Sequence, residues 1–157
     1  KKENKKIRII STSFSDNIKK GFLTYKFLDS NLDFNKFEYI FLGRSPFVFK
    51  NIKNLGPKTT IEVAEELKKS DLFITSSEND PCSNSLIEAL SCGLDCLALN
   101  SGGHTEILNE IKDLLFNDET ELLSRLKSYT HHGYLNTSAP TMSSVAQNYL
   151  DFFSIIT

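Results

Sequence analysis

Cysteine is scarce in this chain: Cys82, Cys92 and Cys96 are the only three in 157 residues, an odd number with no CxxC pair. Their spacing excludes a disulfide framework and a zinc ribbon. Cys92 and Cys96 with His104 are the one set that could be pictured around a metal ion. The spacing is poor, however, and Cys96 opens an apolar strand-like run, where a cysteine acts as a small hydrophobe. No apolar run approaches the ~20 residues needed to cross a bilayer as a helix. The N-terminal KKENKKIRII is charged and then apolar for only a few residues, so it fits neither a signal peptide nor a span. A cytoplasmic location, including a peripheral one at a membrane, is the expectation that follows. Positive charge is not in excess: the formal net charge is −2. Without a chain-wide positive field to release counterions, nucleic acid is excluded as a partner. Internal repeats and low-complexity segments are also absent.

What is present is an alternation. From Ile7 to about Phe116, short apolar runs alternate with segments of helical period, the pattern of a parallel sheet flanked by helices. The class is α/β, a doubly wound, Rossmann-like sheet. IRIIS (Ile7 to Ser11) is predicted as the first strand, followed by one helix from Asn17 to Ser30 with Ile18, Phe22, Tyr25 and Leu28 facing inward. FEYIFLG forms the second strand and ends at Gly43, and a short strand covers Ile52 to Leu55 before Gly56-Pro57. Thr60 is expected to cap a helix through Lys69, with Ile61, Ala64 and Leu67 inward and Glu62, Glu65, Glu66, Lys68 and Lys69 forming a solvated face. Then come the strand DLFIT, the loop SSENDPCS, the helix NSLIEALSCG, the strand DCLALN and the loop SGGHTEIL. Leu114 to Phe116 supplies an edge strand and Glu119 to Tyr129 a helix. HHGYLNTSAP, with His131-His132, reads as an exposed connector, and a last helix places Met142, Val145, Tyr149, Phe152 and Ile156 on one face.

In an open parallel sheet, ligands bind beyond the carboxyl ends of the strands, where helix N-termini offer unpaired N–H groups and the positive end of a dipole. SSENDPCSNS is such a loop, standing just ahead of the apolar period Leu86, Ile87, Leu90. Its amides suit a phosphate. The same loop would also serve as a plain helix cap, although capping gives no reason for a carboxylate at Glu88. No GxGxxG follows the first strand and no acidic pair ends it, which argues against a nicotinamide dehydrogenase and a receiver domain.

The segment TSSENDPCSNSLIEALSCGLDCLALNSGGHTEIL closely resembles the signature of family 4 (group 1) retaining glycosyltransferases. That signature is an acidic residue, seven intervening residues and a Glu, then a small-residue turn, a strand and a Gly-Gly loop followed by Glu. Asp80 and Glu88 fall on the two acidic positions. Upstream, SFSDNIKKGF resembles the loop in which a basic residue before Gly meets the donor diphosphate, here Lys20. The family's first acidic residue is usually Glu, whereas this chain has Asp80 with Glu78 close by. The Arg often found ahead of the Lys is absent, and Ser13, Ser15 and Lys19 stand there instead.

The resemblance implies the C-terminal, donor-binding domain of a GT-B fold, residues 7–157, with residues 1–6 as a linker. It implies a nucleotide-diphosphate sugar as donor substrate and neither cofactor nor metal. The acceptor, a glycan, lipid or small molecule, would be held by a missing N-terminal domain. Glu88 would accept from the ribose hydroxyls. Amides of Cys82, Ser83 and Asn84 would hold the sugar, while those of Ser85 and Leu86, with Lys20 and the Ser15 loop, would meet the diphosphate. Asp80 would orient the transferred sugar, the base would rest near Leu55 and Gly56, and Gly102-Gly103 would permit close approach of the chain. Glu106 reads as a helix-start carboxylate and Arg44 as solvated. The alternatives are a nucleotide-sugar epimerase half, favoured by conversion without an acceptor, and a non-catalytic sugar-nucleotide-binding module.

Overall fold

A computed structural model describes residues 5–108 and 112–130. Six strands form one parallel sheet: β1 (Ile7–Ser13), β2 (Phe37–Gly43), β3 (Lys53–Asn54), β4 (Leu72–Thr75), β5 (Asp95–Leu99) and β6 (Leu115–Phe116), in the order β3-β2-β1-β4-β5-β6. The strand order reverses between β1 and β4, and at such a point the diverging connections leave a crevice at the carboxyl ends. β1 and β2 pair over their whole length, from Ile7 opposite Phe37 to Ser13 opposite Gly43. The helices are α1 (Phe22–Asn31), α2 (Thr60–Lys68), α3 (Asn84–Ser91), the single turn α4 (His104–Ile107) and α5 (Glu119–Ser128).

The strands are apolar on both faces because both faces are covered. Successive side chains point to opposite sides of a strand. Ile9, Phe41, Ile74 and Leu97 therefore join Phe22, Tyr25 and Leu28 of α1 and Leu122 and Leu126 of α5 in one buried cluster. Their neighbours Ile10, Ile40, Phe73 and Cys96 join Val63 and Leu67 of α2 and Leu86 and Leu90 of α3 in the other. Truncating a buried phenylalanine such as Phe22 to alanine typically costs about 3–5 kcal/mol.

Three local expectations need correction. The helix expected from Asn17 to Ser30 is broken: a 3-10 turn, Ile18–Lys20, ends at Gly21 in the left-handed region (φ +88°), and α1 starts afresh at Phe22. Ile18 is consequently exposed. Gly21 stands where no side chain fits, since a Cβ there would lie 2.5 Å from the Cβ of Ser76. In α2 the cap is Thr59, one residue earlier than expected, in a capping box with Glu62. Its inward pair is Val63 and Leu67, and Ile61 is 73% exposed. Glu66 is not on a solvated face, because its carboxylate takes a 2.6 Å ion pair from Arg8 and a 2.8 Å one from Lys69. Third, β3 is only Lys53–Asn54, because the chain before it is held from α1: the buried Asp29 carboxylate accepts from the amides of Lys50, Asn51 and Ile52, each at 2.7 Å. The expected last helix and the His131-His132 connector lie outside the described residues.

Candidate functional site

Three loops meet where the sheet order reverses. The amide of Glu78, after β4, donates to the carbonyl of Lys19, after β1, at 2.7 Å. This tie, with the close contact at Gly21, sets Lys20 opposite Asp80: Lys20 Nζ lies 2.9 Å from Asp80 Oδ2. Ser77 Oγ donates to the same oxygen at 3.3 Å. Burial pulls the Asp80 carboxyl up, but Lys20, the Cys82 amide and Ser77 outweigh it and hold it below the ordinary carboxylate value.

The loop after β5 braces this arrangement from behind. Asn79 adopts φ +52° and its amide donates to Ser101 Oγ at 2.9 Å, while the Gly103 amide donates to the Asp80 carbonyl at 2.8 Å. A Cβ on Gly102 would lie 2.6 Å from the Asp80 carbonyl oxygen, and one on Gly103 2.4 Å from that of Pro81. The close approach these glycines permit is thus to the Asp80-Pro81 backbone.

α3 opens without a side-chain cap; the Ser83 hydroxyl instead shares a 3.2 Å hydrogen bond with the Ser85 hydroxyl. The amides of Leu86 and Ile87 both donate to the Ser83 carbonyl at 3.1 Å. Those of Ser83, Asn84 and Ser85 have no hydrogen-bond acceptor among the described residues. A helix start left uncapped in this way presents donors and partial positive charge to whatever enters the crevice. The Leu86 amide, already engaged, adds to that site only through the helix dipole.

These groups surround a cavity of about 360 Å³. Of the residues expected at a site, Ser15, Lys20, Asp80, Cys82, Asn84, Ser85 and Glu88 line it. Ser83 and Leu86 are buried behind its wall. Leu55 packs beside the cluster of Val63 and Leu67, and Gly102-Gly103 back the Asp80 loop, so neither reaches the cavity wall. Sequence reasoning missed Phe14, Thr12, Thr75 and Ser77, which also line it. The signal for Phe14 was available, since it stands in the loop after the first strand. The Glu88 carboxylate has no hydrogen-bond or ion-pair partner among the described residues, and its partial burial raises its pKa.

His104 is fully buried; Nδ1 lies 2.9 Å from the Leu99 carbonyl and Nε2 has no partner among the described residues, and burial lowers its pKa. Among the described residues no three His, Cys, Asp or Glu side chains gather to share a metal ion. Cys96 is enclosed in β5, with its thiol pushed well up by burial, while Cys82 is exposed. No helix among the described residues is long and apolar enough to cross a membrane.

The family model described as "Glycosyl transferases group 1" matches residues 41–131, more than half of the chain. The chain belongs to the group 1 glycosyltransferases. The matched stretch contains Asp80, Glu88 and the Gly102-Gly103 loop. No curated protein matches the chain. Among solved structures, this group 1 chain is similar to Anabaena Alr3699/HepE in complex with UDP and glucose, with TM-score 0.75 and 15% identity over 97% of this chain and 49% of that one. It is also similar to the catalytic domain of cholesterol-α-glucosyltransferase from Helicobacter pylori, with TM-score 0.57 and 14% identity over 96% and 99% of the two chains. At such identities the likeness establishes the Rossmann-like fold. The group 1 chain spans about half the length of the Anabaena protein, 49%.

Proposed function

We propose that the chain is the donor-binding half, C-terminal in position, of a GT-B glycosyltransferase that moves a sugar from a nucleoside diphosphate to an acceptor with retention of configuration. The observation that carries this reading is one cavity holding three kinds of group: the free amides at the start of α3, the Lys20–Asp80 pair and the unpartnered Glu88. The amides and the ammonium suit a diphosphate, the free carboxylate suits a pair of ribose hydroxyls, and Asp80 suits the hydroxyls of a hexose.

In this account the diphosphate enters between the α3 N-terminus and Lys20. An ion pair whose lysine is 39% exposed is worth little, under about 1 kcal/mol, so Lys20 exchanges Asp80 for phosphate oxygens at small cost. Asp80, released, takes the sugar hydroxyls together with the Asn84 amide and the Cys82 wall. As the glycosidic bond to the diphosphate breaks, negative charge grows on the leaving oxygen, and Lys20 with the Ser85 amide stabilises it without a metal ion. The acceptor hydroxyl bonds to the oxocarbenium-like carbon from the face the diphosphate leaves, and its proton passes to the departing phosphate oxygen. Holding that acceptor falls to a second, N-terminal domain, consistent with the chain's spanning 49% of the Anabaena protein.

Titration calorimetry with UDP, GDP and their sugars tests the reading. Micromolar to millimolar binding of at least one nucleoside diphosphate is expected, and the absence of heat with all of them at millimolar concentration refutes it. Conversion of the bound sugar with no acceptor present would turn the assignment to an epimerase.

A further inference from the structure

We propose that a second cavity, at the amino-terminal end of the sheet, is a binding site for an organic phosphate. It measures about 540 Å³. Arg8 of β1 and Phe37 of β2 line it close to the strands' amino ends, whereas Ser13, roughly 16 Å further along β1, belongs to the donor cavity. The two sites are therefore separate, and this one stands apart from the nucleotide-sugar reading of the other.

The gap follows from the shortness of β3. That strand pairs with β2 only at Ile40 and Phe41, and residues 50–52 ahead of it are held on Asp29 of α1. Phe37, Glu38 and Tyr39 consequently have no strand of the described residues on their outer side, and the space beside them is the cavity.

Its charge selects the ligand. Four cations, Lys5, Lys6, Arg8 and Lys53, line it against the single carboxylate of Glu38. Arg8 is already neutralised, by Glu66 at 2.6 Å and Glu38 at 3.6 Å. The three lysines are not. Lys6 Nζ donates to the Phe34 carbonyl at 2.7 Å, which fixes its position and leaves it two further N–H donors. Lys5 and Lys53 are exposed and have no hydrogen-bond or ion-pair partner among the described residues. In a chain of formal net charge −2, three uncompensated ammonium groups around one cavity call for a multiply charged anion, and lysine serves phosphate as a point charge. The rest of the lining calls for an organic body on that phosphate. Phe34, Phe37 and Tyr39 give an apolar floor, as small-molecule sites generally have. Asn51 Nδ2 is engaged with the Asp29 carbonyl at 2.7 Å, so its Oδ1 is left to accept from a ligand hydroxyl.

A soluble phosphate ester and a phospholipid headgroup present this same chemistry, and two probes separate them: glycerol 3-phosphate, followed by amide NMR, and sedimentation with phosphatidylglycerol vesicles against phosphatidylcholine vesicles. Saturable shifts of the Lys5, Lys6, Asn51 and Lys53 amides at millimolar glycerol 3-phosphate would identify a soluble ester. Sedimentation with phosphatidylglycerol alone, without those shifts, would identify a headgroup. In either case the double variant Lys5→Glu/Lys53→Glu should weaken binding about tenfold or more. Lys68→Glu/Lys127→Glu, which makes the same change of charge at two lysines outside the cavity, should bind as the wild type does. Silence with both probes, shifts confined to the Ser83 to Ser85 amides, or equal binding by the two double variants would overturn the proposal.

Discussion

Replacing Glu88 by glutamine separates binding from folding at this site. The carboxylate has no hydrogen-bond partner among the described residues, and burial raises its pKa, so the folded chain gains nothing from its charge. For an acid whose folded pKa is raised, the contribution to stability is fully present below the unfolded pKa and is lost as pH rises through the folded one. At neutral pH the ionised group is therefore a net cost, and Glu88→Gln should melt at the same temperature as the wild type or slightly higher. Binding moves the other way. A charge-assisted hydrogen bond to a ribose hydroxyl contributes about 1.5–3 kcal/mol, so its loss weakens nucleoside diphosphate about 10- to 150-fold. Wild-type affinity should also decline on acidification through the raised pKa of Glu88, at a higher pH than for an ordinary carboxylate, and the glutamine variant should lack that decline. Calorimetric titration from pH 7.5 to 5 and a thermal melt of both proteins provide the numbers. Equal affinities would remove Glu88 from the ribose, and a melting temperature that falls with the affinity would make it a structural support.

Asp29→Ala removes the acceptor of three backbone amides, that of Ile52 buried, and should cost about 3 kcal/mol by urea denaturation, with the asparagine variant intermediate. Thr59→Ala dismantles the α2 capping box and should cost about 1 kcal/mol in the same assay. Lys20→Met should raise the Asp80 pKa, read by carbon-detected NMR titration, because burial then acts with less opposition. The depressed Asp80 pKa stabilises the fold above the unfolded value and that stability is lost as pH falls, so wild type and Lys20→Met should differ at neutral pH by less than about 1 kcal/mol and converge in acid.

The parallel sheet was legible because its strands are apolar on both faces and each ends in recognisable turn chemistry, as at Gly43 and Gly56-Pro57. The crevice was legible for a related reason: loops that leave the carboxyl ends of such strands and lead into helices must meet where the order reverses, and SSENDPCSNS is one of them. What could not be read depends on contacts between distant segments. Ile18 fits a helical stripe with Phe22, and nothing local reveals that the chain turns left-handed at Gly21 and packs there against Ser76. Asp29 looks like a surface residue of α1 until the chain returns more than twenty residues later to bond it. Ile61 and Val63 are equally apolar, and only the packing shows that Val63 joins Leu67 in the core while Ile61 is exposed. Gly102-Gly103 announced a close approach but not its target, which is the Asp80-Pro81 backbone.

The most direct test is a crystal of the chain soaked with a UDP- or GDP-sugar. Electron density for the diphosphate against the Ser85 amide and Lys20 Nζ, with the ribose on Glu88 and the sugar beside Asp80, is the predicted result. Nucleotide density anywhere else on the surface, with this crevice left to solvent, would contradict it.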